Sequence, residues 1–373
     1  MSSQIVQSPV ETSHSKAQLK CFDYLQLAVG NAYQSMHLLR VLFGFSPRAY
    51  LGLETGEREK LSYVLTQGNI NLLVTSAIEA SAPLAAEVKV HGDAINDMAF
   101  TVDDAAEAFH QALLGGASAV AEPATQEDEF GQVTSASVRP SMNSLVHTFI
   151  ERSKYTDQFL PKYQSISAPA EPTVPYLKEL DHVALSFAEG ELDRNVAFYT
   201  SALGLKVTHE DKVVTEHSAM NSKVVANECG TVRLVMMEPV KAQRRSQIEE
   251  FLKYNNGAGV QHLAFLCADI IESVRRFRKA GAEFLRVPAA YYELLSSRVG
   301  NINSDLAALR ELSILVDRDE WGYLLQLFSK PISGRPTLFF ELIQRVGAHG
   351  FGRGNIKALF DAVEREQSLR GNL

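Results

Sequence analysis

Three polar side chains sit in apolar runs where a polar group is costly. Gly259-Val260-Gln261-His262-Leu263-Ala264-Phe265 and Leu180-Asp181-His182-Val183-Ala184-Leu185-Ser186-Phe187 each set an imidazole among apolar neighbours. Thr337-Leu338-Phe339-Phe340-Glu341-Leu342-Ile343-Gln344-Arg345 does the same with a carboxylate. A single histidine on a strand is, in the simplest case, a satisfied core side chain. A carboxylate in such a run is different, because a buried charge must be paired or bind a metal. His182, His262 and Glu341 together are two imidazoles and one carboxylate. That is the facial triad that holds non-haem Fe(II) and leaves positions open for substrate and O2.

Such a triad needs strands that aim alternate side chains at one point. Alternation places His262, Ala264 and Leu266 on one strand face and Leu263 and Phe265 on the other. The chain in order supplies more such elements. Residues 21–29 read as a strand, 32–43 as a helix ended by Gly44, and 61–66 and 70–75 as strands around a Gln67-Gly68-Asn69 turn. Residues 95–102 read as a strand, followed by a helix from Asp103 to Leu114 that stops at Gly115-Gly116.

This order then recurs. Ile95-Asn96-Asp97-Met98-Ala99-Phe100 aligns with Val260-Gln261-His262-Leu263-Ala264-Phe265, and the same offset pairs Asp104 with Asp269, Gly116 with Gly281 and Pro123 with Pro288. Phe22-Asp23-Tyr24 likewise matches Leu180-Asp181-His182. The chain therefore reads as two similar halves, each of two strand–helix–strands units. Tyr24 and Asp97 stand where the second half has its histidines, so the expectation is one metal site, in the second half. The expected organisation is a polar tail at 1–18, a structural domain at 19–160, a linker rich in Pro, Ser and Ala at 161–176, and a catalytic domain at 177–373.

Composition narrows the partners. The 373 residues carry a net charge of −8 with no basic run, which argues against nucleic acid or an anionic membrane as partner. Three widely spaced cysteines, Cys21, Cys229 and Cys267, without a CxxC motif fit a reducing compartment. The first residues lack an apolar signal core, and the most apolar window, 70–86, is broken by Glu79 and Pro83. A cytoplasmic protein is expected.

Several motifs go further. Gly257-Ala258-Gly259-Val260-Gln261-His262, Val287-Pro288 with Tyr291-Tyr292, the run from Gly322 to Pro331, Arg335 to Arg345, and Gly350-Phe351-Gly352-Arg353-Gly354-Asn355 resemble the 4-hydroxyphenylpyruvate dioxygenase and 4-hydroxymandelate synthase family. The resemblance is specific over the second half and extends only to organisation in the first. It implies an α+β vicinal oxygen chelate fold: two similar domains, each of two βαβββ modules forming an open barrel-like sheet, with a C-terminal helix over the active site. It also implies Fe(II) held by His182, His262 and Glu341, an aromatic 2-oxo acid and O2 as substrates, and a homo-oligomer, dimer or tetramer.

Further site residues follow from alternation and resemblance together. Gln326 shares a strand face with Leu324 and Phe328, and Phe339 shares that of Glu341. Phe328, Phe339 and Phe351 are expected around an aromatic ring, Gln247, Gln261 and Asn355 near its polar end, and Gln326, Phe351, Asn355 and Ile356 close to the chemistry. A helix over 356–366 would close the pocket.

The chain departs from the ring-hydroxylating members at Asn227, where they have Ser, at Val235 and Met237, where they have Pro and Asn, and at Ile356, where they have Phe; the hydroxymandelate-forming members have aliphatic residues matching Met237 and Ile356 but keep Ser at 227. A less aromatic clamp favours oxygen transfer to the benzylic carbon, giving 4-hydroxymandelate; the alternative is homogentisate. An extradiol catechol dioxygenase would share the triad but not the motifs from Tyr323 to Phe328 and from Phe351 to Asn355. A glyoxalase-type lyase would need a fourth protein ligand, and a metal-free binding module would lack the triad.

Overall fold

The computed structural model describes residues 18–373, apart from 141–143, 153–154, 157–158, 168–174, 215–218, 242–245, 294, 353, 356–357, 360–362, 364–370 and 372–373. In the first half, β1 (Cys21–Ala28), α1 (Ala32–Phe43), β2 (Ser46–Leu51), β3 (Lys60–Gln67) and β4 (Ile70–Ala77) form one unit. Helix α2 (Pro83–His91) leads to β5 (Ala94–Thr101), α3 (Ala105–Leu114), β6 (Ala117–Asp128), β7 (Gly131–Pro140) and β8 (Val146–Glu151). A short β9 (Gln164–Ser165) follows.

The second half opens with β10 (Leu177–Ser186), α4 (Leu192–Ala202), β11 (Lys206–Val214), β12 (Ala219–Ala226), β13 (Arg233–Val240) and α5 (Gln247–Tyr254). Then come β14 (Gly259–Cys267), α6 (Ile270–Lys279), α7 (Ala290–Glu293), α8 (Leu295–Val299) and α9 (Leu306–Leu312). Strands β15 (Leu315–Arg318), β16 (Tyr323–Phe328) and β17 (Phe339–Val346) complete it.

Two mixed sheets result, ordered β6-β7-β8-β5-β1-β4-β3-β2-β9 and β11-β12-β13-β10-β14-β17-β16-β15. Read from opposite ends and without β9, the two orders are the same. In each half the first strand pairs parallel with the fourth and antiparallel with the strand that opens the second unit. This is the vicinal oxygen chelate fold, and the repeat read from the sequence survives at the level of caps. Asp104 accepts from the Glu107 amide at the start of α3, and Asp269 from the Glu272 amide at the start of α6. Each satisfies one of the amides a helix start leaves without a partner. The cap also explains why α3 begins two residues later than expected.

The halves share one core. Phe43 of α1 meets Phe277 and Phe340 at ring separations of 5.6 and 5.0 Å, and Phe45 meets Phe265 at 6.0 Å. Edge-to-face contacts of this kind add about 0.5–1.5 kcal/mol beyond the area they bury. The segment read as a linker contributes structure too. Gln164–Ser165 pair with β2, and Tyr163 packs against the cluster that holds Tyr24 and Phe159. No helix among the described residues is long and apolar enough to cross a membrane. The expected closing helix over 356–366 lies mostly outside the described residues; Leu359 from it is buried.

Candidate metal centre and its cavity

Three neighbouring strands, β10, β14 and β17, each deliver one residue to one point. His182 lies opposite Ala264, and Ala264 lies opposite Glu341, so all three positions share a face. His262 pairs with Ala184, two residues along on that same face. The Nε2 atoms of His182 and His262 each stand 3.4 Å from Glu341 Oε2, and the three donors lie within 4.8 Å of one another. The residues are 3, 5 and 2% exposed.

The outer nitrogens are also accounted for. His182 Nδ1 donates to Asp181 Oδ1 at 2.8 Å, and His262 Nδ1 donates to Gln261 Oε1 at 3.0 Å. Those oxygens can only accept, so each Nδ1 carries the proton and each Nε2 lone pair points inward. Glu341 Oε1 accepts from Gln326 Nε2 at 2.8 Å, which leaves Oε2 turned to the histidines. The Asn355 amide donates in turn to Gln326 Oε1 at 2.8 Å, and Tyr291 donates to Asn355 Oδ1 at 2.7 Å. Behind His182, the Arg345 guanidinium grips Asp181 with both ends of its fork, at 2.7 and 2.8 Å. Gly352 has φ +73°, and a Cβ there would fall 2.1 Å from Gln326 Oε1. Only glycine allows the chain to pass that amide.

Electrostatics agree with this layout. Burial works to raise the Glu341 carboxyl, but His182 and His262 outweigh it and hold it at about 2. Burial disfavours a charge on both histidines; for His182 the carboxylates of Glu341 and Asp181 prevail and raise it, whereas His262 is lowered. Asp181 is driven well below the usual carboxylate range: burial opposes this, and Arg345 and His182 override it. Two imidazoles with inward Nε2 lone pairs and one ionised carboxylate fit a divalent ion. Their 3.4 Å spacing exceeds the roughly 2.7–2.9 Å of a charge-assisted hydrogen bond and suits donors about 2.0–2.2 Å from one centre. No fourth protein ligand joins them among the described residues.

The triad forms one wall of a cavity with about 640 Å³ of space not filled by protein atoms, its open mouth included. Val235, Met237, Gln247, Gln261, Gln326, Phe328 and Phe351 line it, as expected from the sequence. Phe339 stacks on His262 at 4.9 Å and faces an adjoining cavity of about 520 Å³ that shares Gln247 and Gln261. Asn355 is buried behind Gln326 rather than in the lining, and Ile356 lies outside the described residues.

Asn227 requires a correction. It sits in the turn between β12 and β13, where its amide donates to the Leu19 carbonyl and to Thr231 Oγ1, both at 2.9 Å. It does not reach the cavity. A hydroxyl that does is Ser222, five residues earlier on β12. Sequence reading also missed His209, Asp211, Met220 and Val224 in the lining, whereas Leu359 comes from the segment expected to cover the pocket. The available signal was the alternation Met220, Ser222, Val224, which sets one hydroxyl on an otherwise apolar face.

The first half shows what the same positions become without a triad. The strand register equates Tyr24 with His182, Asp97 with His262 and Thr148 with Glu341. Asp97 Oδ2 accepts from Thr148 Oγ1 at 2.8 Å and from Tyr24 at 3.1 Å, and the Phe159 ring packs on Tyr24 at 5.6 Å. Burial outweighs these hydrogen bonds and pushes the Asp97 carboxyl up to about 7. The native state thus holds a proton between about pH 4 and 7 that the unfolded chain has released, so stability falls as pH rises through that window. Asp97→Asn removes the dependence. Denaturant midpoints should show it gaining about 2 kcal/mol on wild type between pH 5 and pH 8; a constant difference would show that Asp97 is ionised throughout.

Known proteins match this chain over most of its length. Residues 16–158 match the family described as hydroxyphenylpyruvate dioxygenase, N-terminal, and 179–327 match the glyoxalase/bleomycin resistance protein/dioxygenase superfamily. The 4-hydroxyphenylpyruvate dioxygenase of Neurospora crassa is 39% identical over 384 residues, 94% of this chain and 92% of its own. That of Dictyostelium discoideum is 39% identical over 364 residues, covering 94% and 99%. Among solved structures, a triple mutant of 4-hydroxymandelate synthase from Streptomyces coelicolor superposes with a TM-score of 0.86 at 37% identity, covering 94% of this chain and 99% of that one.

Proposed function

This chain belongs to the 4-hydroxyphenylpyruvate dioxygenase family, and on that premise we propose that it converts 4-hydroxyphenylpyruvate and O2 to CO2 and 4-hydroxymandelate. It is a non-haem iron dioxygenase acting on an aryl-pyruvate. The observation that carries the reading is the convergence of His182, His262 and Glu341 on one wall of a largely apolar cavity. These residues would hold Fe(II), which when bound would supply a chelation site for the 2-oxo acid and a route for that acid's electrons to O2. The substrate carries its own 2-oxo acid, so no second keto acid is needed.

The chain's own residues do the rest. Gln326 holds Glu341 with Oε2 forward, and Asp181 and Gln261 fix the imidazole tautomers. Phe328 and Phe351 confine the aromatic ring between the metal end and the far wall. Met220, Met237, Val235 and Leu359 keep that space dry, which limits side reactions of a reactive oxidant.

Benzylic rather than ring attack is supported by Val235 and Met237, both in the lining, where a proline and an amide would otherwise fix the ring. A choice between two carbons of one bound species needs little: about 1.4 kcal/mol is tenfold in rate. Homogentisate is the second reading, and the polar side chains of Ser222, Gln247 and Gln261 in the lining favour it. Chromatography against authentic standards with tandem mass spectrometry, needed because the two acids are isomers, should find mainly 4-hydroxymandelate from 4-hydroxyphenylpyruvate, Fe(II), ascorbate and O2, with Ile356→Phe or Met237→Asn raising the homogentisate share. Homogentisate as the sole wild-type product overturns the assignment.

A further inference from the structure

Edge strand β11 turns two polar residues, His209 and Asp211, into the cavity. Across the ladder they face Val224 and Ser222 of β12. The His209 ring meets Phe351 edge-on at 5.3 Å, and Phe351 meets His182 in the same way at 5.3 Å. The imidazole is therefore one aromatic side chain removed from the metal end. Its Nδ1 pairs with Thr208 Oγ1 at 3.1 Å, and Nε2 has no partner among the described residues. In this corner Ser222 Oγ donates to the Asp211 carbonyl at 3.4 Å, whereas the His209 imidazole can both give and take a hydrogen bond; Gln247, Gln261 and Gln326 are further polar side chains of the lining.

We propose that His209 is a specificity-determining residue that selects aryl-pyruvates bearing a hydrogen-bonding substituent on the ring. The physical basis is asymmetric. A site built to hydrogen-bond a hydroxyl discriminates strongly against the analogue that lacks it, because its own polar groups are then left unpaired. A purely apolar end would discriminate weakly.

The inference rests on the aryl-pyruvate reading above, and its test separates the two. Anaerobic calorimetry on the full Fe(II)-loaded chain compares 4-hydroxyphenylpyruvate with phenylpyruvate. Wild type should bind the hydroxylated acid at least about tenfold more tightly. His209→Phe and His209→Val, which keep a ring or a good strand former, should each cut that preference at least fivefold; His209→Gln should keep most of it. An unchanged preference, or equal weakening of both acids, overturns the proposal. Turnover with an unchanged preference leaves the reaction standing without this corner. A shifted preference without turnover does the reverse, and failure to bind either acid overturns both.

Discussion

Glu341→Gln is expected to leave a folded protein with no measurable turnover. The substitution preserves volume at a site 2% exposed, so the packing of β17 against β14 and β16 is kept. What it removes is the single anion of the triad. A neutral amide cannot balance a divalent ion between two imidazoles, and Gln326 Nε2 loses its charged acceptor at 2.8 Å. Loss of an outer partner alone commonly lowers metal affinity or activity by 10–100-fold, so loss of the anionic ligand should exceed a hundredfold in Fe(II) affinity. Without metal the variant should also lose some stability, because His182 and His262 hold the carboxylate ionised in the folded state against the cost of burial. The clean measurement is therefore the rise in Tm on adding Fe(II), which follows from ligand binding to the native state. Wild type should show it and Glu341→Gln should not. An equal rise in both would mean that Glu341 is not a ligand. His262→Ala, which also leaves Phe339 without its stacked ring, serves as the parallel test.

The contrast between what the sequence revealed and what it hid has a physical cause. His182 and His262 were legible because the two imidazoles fall in matching strands of one repeat, and Glu341 because it is the single charge between Thr337 and Gln344. The repeat was legible because helix caps and glycine turns recur at fixed offsets, as Asp104 and Asp269 do. β11 was not. Its outer face is exposed, so Lys206, Thr208, Glu210 and Lys212 mask the alternation that turns His209 and Asp211 inward. Asn227 misled for a related reason. A few residues at a hairpin separate the cavity wall, at Ser222, from the turn, at Asn227, and the sequence offers no local mark of that boundary. The Arg345–Asp181 pair joins residues 164 apart, and no periodicity reports such a contact.

That pair sets up the second large effect. Asp181→Ala should cost about 3 kcal/mol of stability and, separately, lower Fe(II) affinity about 10–100-fold. The stability loss arises because Arg345 is mostly buried, with 14% side-chain exposure, and would keep its charge without its carboxylate partner. Its carbonyl contacts with Ala348 and Gly350, and the Phe351 ring 5.4 Å away, would remain but are neutral. The metal effect has another origin. Asp181 accepts the His182 Nδ1 proton; without it the imidazole is free to change tautomer or rotate, and Nε2 is no longer fixed towards Glu341. Arg345→Ala separates the two effects. It breaks the ion pair yet leaves Asp181 on His182, with Arg233 still 3.8 Å from the carboxylate. It should therefore lose stability while retaining most of its metal affinity. In the double variant the stability losses should be less than additive, because the pair is broken only once and no unpartnered guanidinium is left behind. Chemical denaturation and Fe(II) titration of the four proteins decide the matter. Wild-type metal affinity in Asp181→Ala would show that His182 is oriented by its strand alone, and strictly additive stability losses would show that Arg345 and Asp181 act independently.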